Sequence, residues 1–277
     1  MSPDQYCADR AARSGSSFYY SFLFLPEEKR RAIIALYAFC REVDDVVDET
    51  SEPEVARAKL AWWRSEIAAV FQGTPQHPVA RALTQVVGPF GLQKELLDEI
   101  IDGMQMDLDR NRYPDFATLA LYCHRVAGVV GLLSAKIFGY TSEATLDYAH
   151  DLGVAFQLTN IARDVGEDAR RDRIYLPLDD IARYGLTPAD ILRGRESEAM
   201  RNLLRFQVAR ARSFYRQALE KLPPADRRSQ RAGLIMAAIY QRLLDEIETE
   251  GTGVMSAKVS LTPITKFWLA LKTWLAT

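Results

Sequence analysis

Cysteine is scarce in this chain: Cys7, Cys40 and Cys123 are odd in number, far apart and without a CxxC pair. That argues against a disulfide framework or a structural zinc and suits a reducing compartment, with the three read as buried small residues. An excess of one charge is also missing, since 35 basic residues face 37 acidic ones for a formal net charge of -2. The chain has no global attraction for nucleic acid, and no run of lysines and aromatics offers a base-stacking surface. Alternating Val-, Ile- and Thr-rich stretches bounded by hairpin turns are absent, which argues against a β fold. No stretch supplies the roughly 18 apolar residues of a membrane-spanning helix; the best, VAGVVGLLSAKIFGY, is interrupted by Lys136. The opening MSPDQYCADR carries neither a basic leader nor a small-residue cleavage site. A cytoplasmic protein with no nucleic-acid partner is expected.

What is present is helical periodicity. With 277 residues, 48% of them hydrophobic, the chain can bury a sizeable core. Pro26 opens the first long helix, with Glu27 and Glu28 in its first turn, where the dipole favours acids. Further helices are expected at about 53–71, 79–87, 93–109, 116–138, 142–168, 197–222 and 225–249. Thr187-Pro188-Ala189-Asp190 reads as a cap leading a short helix. Gly and Pro are dispersed, so no linker divides the chain. The expected fold is all-α, one domain over residues 1–277, a helical bundle with its site between facing helices.

The chemistry concentrates in two acid pairs. REVDDVVDE, from Arg41 to Glu49, puts Asp44 and Asp48 four residues apart, on one helical face with Cβ atoms about 5 to 6 Å from each other. Like charges repel there, and Ser51, Glu52 and Pro53 leave them near a helix C-terminus, which favours cations. A solvated helix end is the ordinary reading of such a run. A second pair, Asp164 and Asp168 in QLTNIARDVGEDARRDR, shifts the balance to a hard-cation site of the kind that holds Mg²⁺ with substrate phosphates. Tyr37, Arg41, Asp44 and Asp48 form one polar stripe, and Gln157, Asn160 or Ile161, Asp164 and Asp168 another.

Arg41 precedes the first pair, and Arg163, Arg170, Arg171 and Arg173 flank the second, where guanidinium forks suit diphosphate oxygens. In LYCHRVAGVVGLLSA, Gly128, Gly131, Ser134 and Ala135 permit close helix approach, while Val126, Val129 and Leu133 are candidates to line an apolar cavity. His124, a lone histidine on an apolar helix, reads as structural. Tyr37, Tyr122 and Tyr240 offer π faces and hydroxyls suited to a carbocation. In the tail PITKFWLALKTWLAT, Ile264, Phe267, Trp268, Leu271, Trp274 and Leu275 form a stripe beside Lys266 and Lys272. It suits packing on the protein's own body, or a bilayer surface.

YAFCREVDD with DDVVDE, and QLTNIARDVGEDARRDRIYLP, resemble the two signature segments of the squalene and phytoene synthase family, and LYCHRVAG is similar to a third. The resemblance spans essentially the whole chain. It implies an isoprenoid-synthase-type bundle with a central apolar cavity and a prenyltransferase that joins two prenyl diphosphates head to head. SGSSFYYSFLFLP and KFWLALKTW most resemble bacterial presqualene diphosphate synthases of the squalene and hopanoid route. The implied substrates are two molecules of farnesyl diphosphate, with a downstream enzyme for the product; phytoene and dehydrosqualene synthases share the same motifs. By position, Asp44, Asp48, Asn160, Asp164 and Asp168 are implied to hold up to three Mg²⁺ ions. Ser14, Gly15, Ser16, Ser17, Tyr37, Arg41, Gln157, Arg163 and Tyr240 are implied to contact substrate, and Tyr122 to lie near the reacting carbons. No nucleotide cofactor is implied. A terpene cyclase or a non-catalytic isoprenoid-binding bundle is the reading from another class.

Overall fold

The computed structural model describes residues 1–13, 21, 22, 24–50 and 52–277. Its helices are α1 (Pro3–Arg13), α2 (Glu27–Glu49), α3 (Pro53–Gln72), α4 (Pro78–Val87), α5 (Lys94–Asp109), α6 (Phe116–Phe138), α7 (Ala144–Arg170), α8 (Leu178–Arg183), α9 (Pro188–Leu192), α10 (Glu198–Lys221), α11 (Arg231–Glu250) and α12 (Pro263–Ala276). Among the described residues there is no strand, only an isolated bridge between Arg112 and Ile174. The all-α expectation holds.

Local chemistry sets the ends of these helices. Asp115 and Ser197 accept from the backbone N–H groups of Thr118 and Met200, Thr187 and Asp190 form a reciprocal capping box, and Gly73 ends α3 at φ 77°. Two helices were not legible in the periodicity. In α1 only Cys7 and Ala11 are buried, and the helix is held by polar contacts with α2: Arg10 pairs with Glu42 and Asp45, and the Tyr6 hydroxyl donates to Glu42. α8 has only six residues, too few to establish a period.

Two apolar clusters make the core. One is formed chiefly by α2 to α5 and the other by α7, α10 and α11, and α6 contributes to both, Val129 and Leu133 to the first and Leu119 and Tyr122 to the second. α6 and α7 pack closely enough that a Cβ on Gly131 would lie 2.1 Å from the Ala149 carbonyl oxygen, and one on Gly153 2.3 Å from that of Ala127. Contrary to the expectation from Lys136, the 23 residues of α6 are long and apolar enough to cross a membrane, with mean hydropathy 1.6 over the most apolar window. The reason lies in its position: α6 touches both core clusters and also lines an apolar cavity.

Midway along α6, residues His124–Gly128 form a π turn, a distortion that recurs at functional sites. A row of polar contacts braces it. Glu99 Oε1 is 3.0 Å from His124 Nε2, His124 Nδ1 is 2.9 Å from His150 Nε2, and His150 Nδ1 is 3.0 Å from Asp151 Oδ1. His124 thus ties α5, α6 and α7 together, the structural role its setting suggested.

Candidate active site

Between the facing stripes of α2 and α7 lies a cavity of about 660 Å³. Every residue that the family resemblance implied for the site and that the structure describes lines it: Tyr37, Arg41, Asp44 and Asp48 from α2, Tyr122 from α6, Gln157, Asn160, Arg163, Asp164 and Asp168 from α7, and Tyr240 from α11. Ser14, Gly15, Ser16 and Ser17 lie outside the described residues. The stripes converge because α2 and α7 each turn an apolar face into a core cluster, leaving the polar face for the space between.

Cations already neighbour the acids. Arg41 donates to Asp44 Oδ2 at 2.6 Å and to Asp45 Oδ1 at 2.7 Å. Asp48 accepts from Arg173 at 2.8 Å and pairs with Arg171 at 3.2 Å, so the segment after α7 reaches back to the first acid pair. Asp164 is paired with Arg163 and, at 3.4 Å, with Lys258. Arg170 does not line the cavity; its guanidinium donates to the Met255 carbonyl at 3.3 Å.

Burial, with Asp48 nearby, raises the Asp44 carboxyl above its ordinary range against the pull of Arg41. Burial together with Asp164 and Asp107 pushes Asp168 up to about 7. Carboxylates so placed are costly unless more positive charge arrives. Asn160 supplies a second sign: its Oδ1 is buried without a hydrogen-bond partner, while its amide nitrogen lies 3.4 Å from Gln157 Oε1. An orphaned amide oxygen beside two carboxylates fits a hard, oxygen-seeking cation. Among the described residues, however, no three His, Cys, Asp or Glu side chains are gathered tightly enough to hold an ion by themselves. A cation shared with diphosphate oxygens, rather than an all-protein cage, suits this donor set.

Further lining residues escaped sequence reasoning, among them Asp107, Tyr175, Lys258 and Lys266. Asp107, at the end of α5, accepts from the hydroxyls of Tyr122 (3.0 Å) and Tyr175 (2.9 Å). Nothing in EIIDGMQMDLD distinguishes it from its acidic neighbours. Tyr175 is presented by the turn after α7, where Asp172 takes φ 56° and Ile174 N–H donates to the Asn111 carbonyl at 2.9 Å. Lys258 lies in the irregular stretch before α12. Lys266, read only as flanking the apolar stripe of the tail, lines the cavity, where burial and Arg163 lower its pKa. Cys40 also lines the cavity rather than filling the core. Burial and Asp44 push its thiol up to about 12, which keeps it unreactive.

A second, apolar cavity of about 180 Å³ shares Tyr37, Cys40, Val126, Gln157 and Asn160 with the first. It runs between α2, α6, α7 and α11 toward Phe22, Phe138 and Tyr148. Val126 lines it as expected; Val129 and Leu133 pack in the core, and Val130 and Ser134 take the lining positions. A charged mouth over an apolar chamber is the shape required by an anionic head on a hydrocarbon tail.

The sequence profile of the squalene/phytoene synthase family matches residues 11–265. A phytoene synthase of Arthrospira platensis is 41% identical over 258 residues, covering 88% of this chain and 83% of that protein. The chloroplastic phytoene synthase 1 of Arabidopsis thaliana is 38% identical over 251 residues, covering 87% of this chain and 59% of that one, so the chain spans about three fifths of that plant relative. Among solved structures, a dehydrosqualene synthase in complex with a ligand aligns with a TM-score of 0.85 at 27% identity, over 99% of this chain and 96% of that one. The squalene synthase HpnC from Alicyclobacillus acidocaldarius aligns with a TM-score of 0.79 at 28% identity, over 90% and 94%.

Proposed function

The chain belongs to the squalene/phytoene synthase family, and on that footing we propose that it joins two farnesyl diphosphates head to head into presqualene diphosphate. The observation that carries the prenyltransferase reading is the convergence of both acid pairs on one cavity that shares five lining residues with an adjoining apolar chamber. The C15 choice is supported by the resemblance of the lead-in and tail segments and by the solved dehydrosqualene and squalene synthases. A second reading, condensation of two geranylgeranyl diphosphates, is favoured by the phytoene synthases at 38 and 41% identity.

Arg41, Arg163, Arg171, Arg173, Lys258 and Lys266 surround the mouth and would bind the diphosphate oxygens. Asp44, Asp48, Asn160, Asp164 and Asp168 would hold Mg²⁺, which when bound neutralises the diphosphate as it leaves. The C–O bond then breaks with its electron pair on the diphosphate. The double bond of the second substrate attacks the allylic carbon, and loss of a proton closes a cyclopropane. Tyr37 and Tyr240 bring aromatic faces to the cavity, where a cation on a desolvated ring gains about 2 kcal/mol. The apolar chamber keeps water from the cation. The product retains one diphosphate, so a second enzyme must process it.

Incubation with farnesyl diphosphate and Mg²⁺, without reductant, is expected to yield a C30 cyclopropyl diphosphate that NADPH leaves unchanged. A C40 product from geranylgeranyl diphosphate in preference would favour the second reading. Metal-dependent turnover of neither substrate would overturn both.

We also place the enzyme at the inner face of a membrane, through α12. The tail stripe divides: Trp274 stacks on Phe24 at 5.5 Å, whereas Ile264, Phe267, Trp268 and Leu275 stay exposed. Exchanging Phe267 and Trp268 for serine is expected to lower co-sedimentation with anionic vesicles several-fold at unchanged turnover of detergent-dispersed substrate. Equal sedimentation would remove the membrane contact.

A further inference from the structure

Asp107, Tyr122 and Tyr175 line one wall of the catalytic cavity, and a third tyrosine, Tyr113, packs against the two rings. The Tyr122 and Tyr175 rings stack at 5.3 Å, and Tyr113 lies 5.5 and 5.6 Å from them. Asp107 sits against the edges of the first two, with one carboxylate oxygen accepting from each hydroxyl. Both hydroxyls are spent on the same carboxylate. We propose that Asp107 is the final acceptor of the proton lost when the cyclopropane closes, receiving it through the Tyr122 hydroxyl.

The inference rests on the head-to-head condensation above, which must discharge one proton inside this cavity. The C–H bond on the allylic carbon breaks, and its electron pair closes the third side of the ring. The Tyr122 oxygen takes that proton as its own passes to Asp107 Oδ2, 3.0 Å away. The phenol is restored, the carboxylate becomes a carboxylic acid, and the proton later leaves to solvent. No oxidant or reductant is consumed.

Tyr122 alone is a poor acceptor, because burial and the nearby Asp107 hold its hydroxyl protonated. Asp107 supplies the missing basicity. Burial pushes its carboxyl up to about 7, against the pull of Arg173 and the two tyrosine hydrogen bonds, and Asp44 adds to the rise. A group near neutrality can both take a proton and give it back. The Tyr175 hydroxyl keeps the other carboxylate oxygen occupied and so fixes which oxygen faces Tyr122.

The test compares the full-length protein with Asp107→Asn, Asp107→Glu, Tyr122→Phe and the Asp107→Asn/Tyr122→Phe double variant. Steady-state kcat and KM are measured for cyclopropyl diphosphate formation, with substrate carrying either hydrogen or deuterium on its allylic C1. Asp107→Asn is expected to lower kcat on the order of 100-fold, with KM changed less than about threefold. Asp107→Glu should recover most of that loss and show a larger deuterium effect than wild type. The double variant should be no slower than the worse single one, as for groups acting as a unit. Losses that multiply, a change in KM alone, or wild-type rates in Asp107→Asn or Tyr122→Phe would overturn the relay and leave the departing diphosphate as the acceptor. If Asp107→Asn does not fold, a wild-type rate and isotope effect in Tyr122→Phe overturn it equally. Absence of condensation product from the wild-type protein would instead sink the function proposed above.

Discussion

Asp48→Asn and Asp168→Asn are each expected to lower kcat on the order of 100- to 1,000-fold, the scale of losing one fixed electrostatic contact to a developing charge. The two residues come from different acid pairs and line one cavity, so neither can stand in for the other. Asp168→Asn should also separate function from stability. Its carboxyl is raised to about 7 by burial and by Asp164 and Asp107. An acid raised on folding makes the folded state progressively less stable as pH rises from the ordinary carboxylate range near 4 toward 7, and the penalty persists above that. In the presence of chelator at pH 8, the neutral amide should therefore melt at or above the wild-type temperature. Turnover within about threefold of wild type at saturating Mg²⁺ would rule out the two-pair site. Lost turnover accompanied by a lowered melting temperature would assign Asp168 to packing.

Gly131→Ala and Gly153→Ala should show the opposite pattern, a loss of stability that originates in the contact between α6 and α7. The added methyl groups would meet backbone carbonyls at 2.1 and 2.3 Å, and neither carbonyl can move without shifting a helix. Overpacking of this kind costs about 1–3 kcal/mol, and more where backbone must yield. At roughly 2–4 °C per kcal/mol for domains of comparable size, melting should fall by about 5 °C or more. Gly88→Ala is the control: its φ is -68° and nothing lies within 4 Å of a new Cβ, so it should melt within about 2 °C of wild type. Equal melting of all three variants, followed by calorimetry, would show that α6 and α7 can separate at little cost.

The substrate chamber depends on the same contact. Val130, Ser134, Ala149 and Leu152 of α6 and α7 line it, and the close approach of these helices limits its width. Stability and catalysis are thus linked at the glycines but separable at the acids.

Much of this organisation can be read along the chain. A four-residue spacing puts Asp44 with Asp48, and Asp164 with Asp168, on single helical faces whatever the tertiary fold. Apolar periodicity locates the long helices to within a few residues, apart from α11, which begins at Arg231 after a short 3-10 turn at Pro224–Asp226. The π turn, by contrast, has no periodic signature. It arises where α6 must accommodate the His124–His150 contact and the close approach of α7 at Gly128 and Gly153.

Helix formation and the composition of each helical face are local matters, settled by side chains three and four residues apart, and the sequence by itself determined them. The partners of Asp107 are not local. Tyr122 lies 15 residues beyond it and Tyr175 68 residues beyond it, and only the packing of α5, α6 and the turn after α7 turns their hydroxyls onto one carboxylate. The same holds for Arg173, which crosses 125 residues of chain to reach Asp48, and for Lys266, whose place beside a helical stripe says nothing of which neighbour covers it. A carboxylate's chemistry is set by its burial and by the charges around it, and those belong to the folded assembly of distant segments rather than to any stretch of sequence.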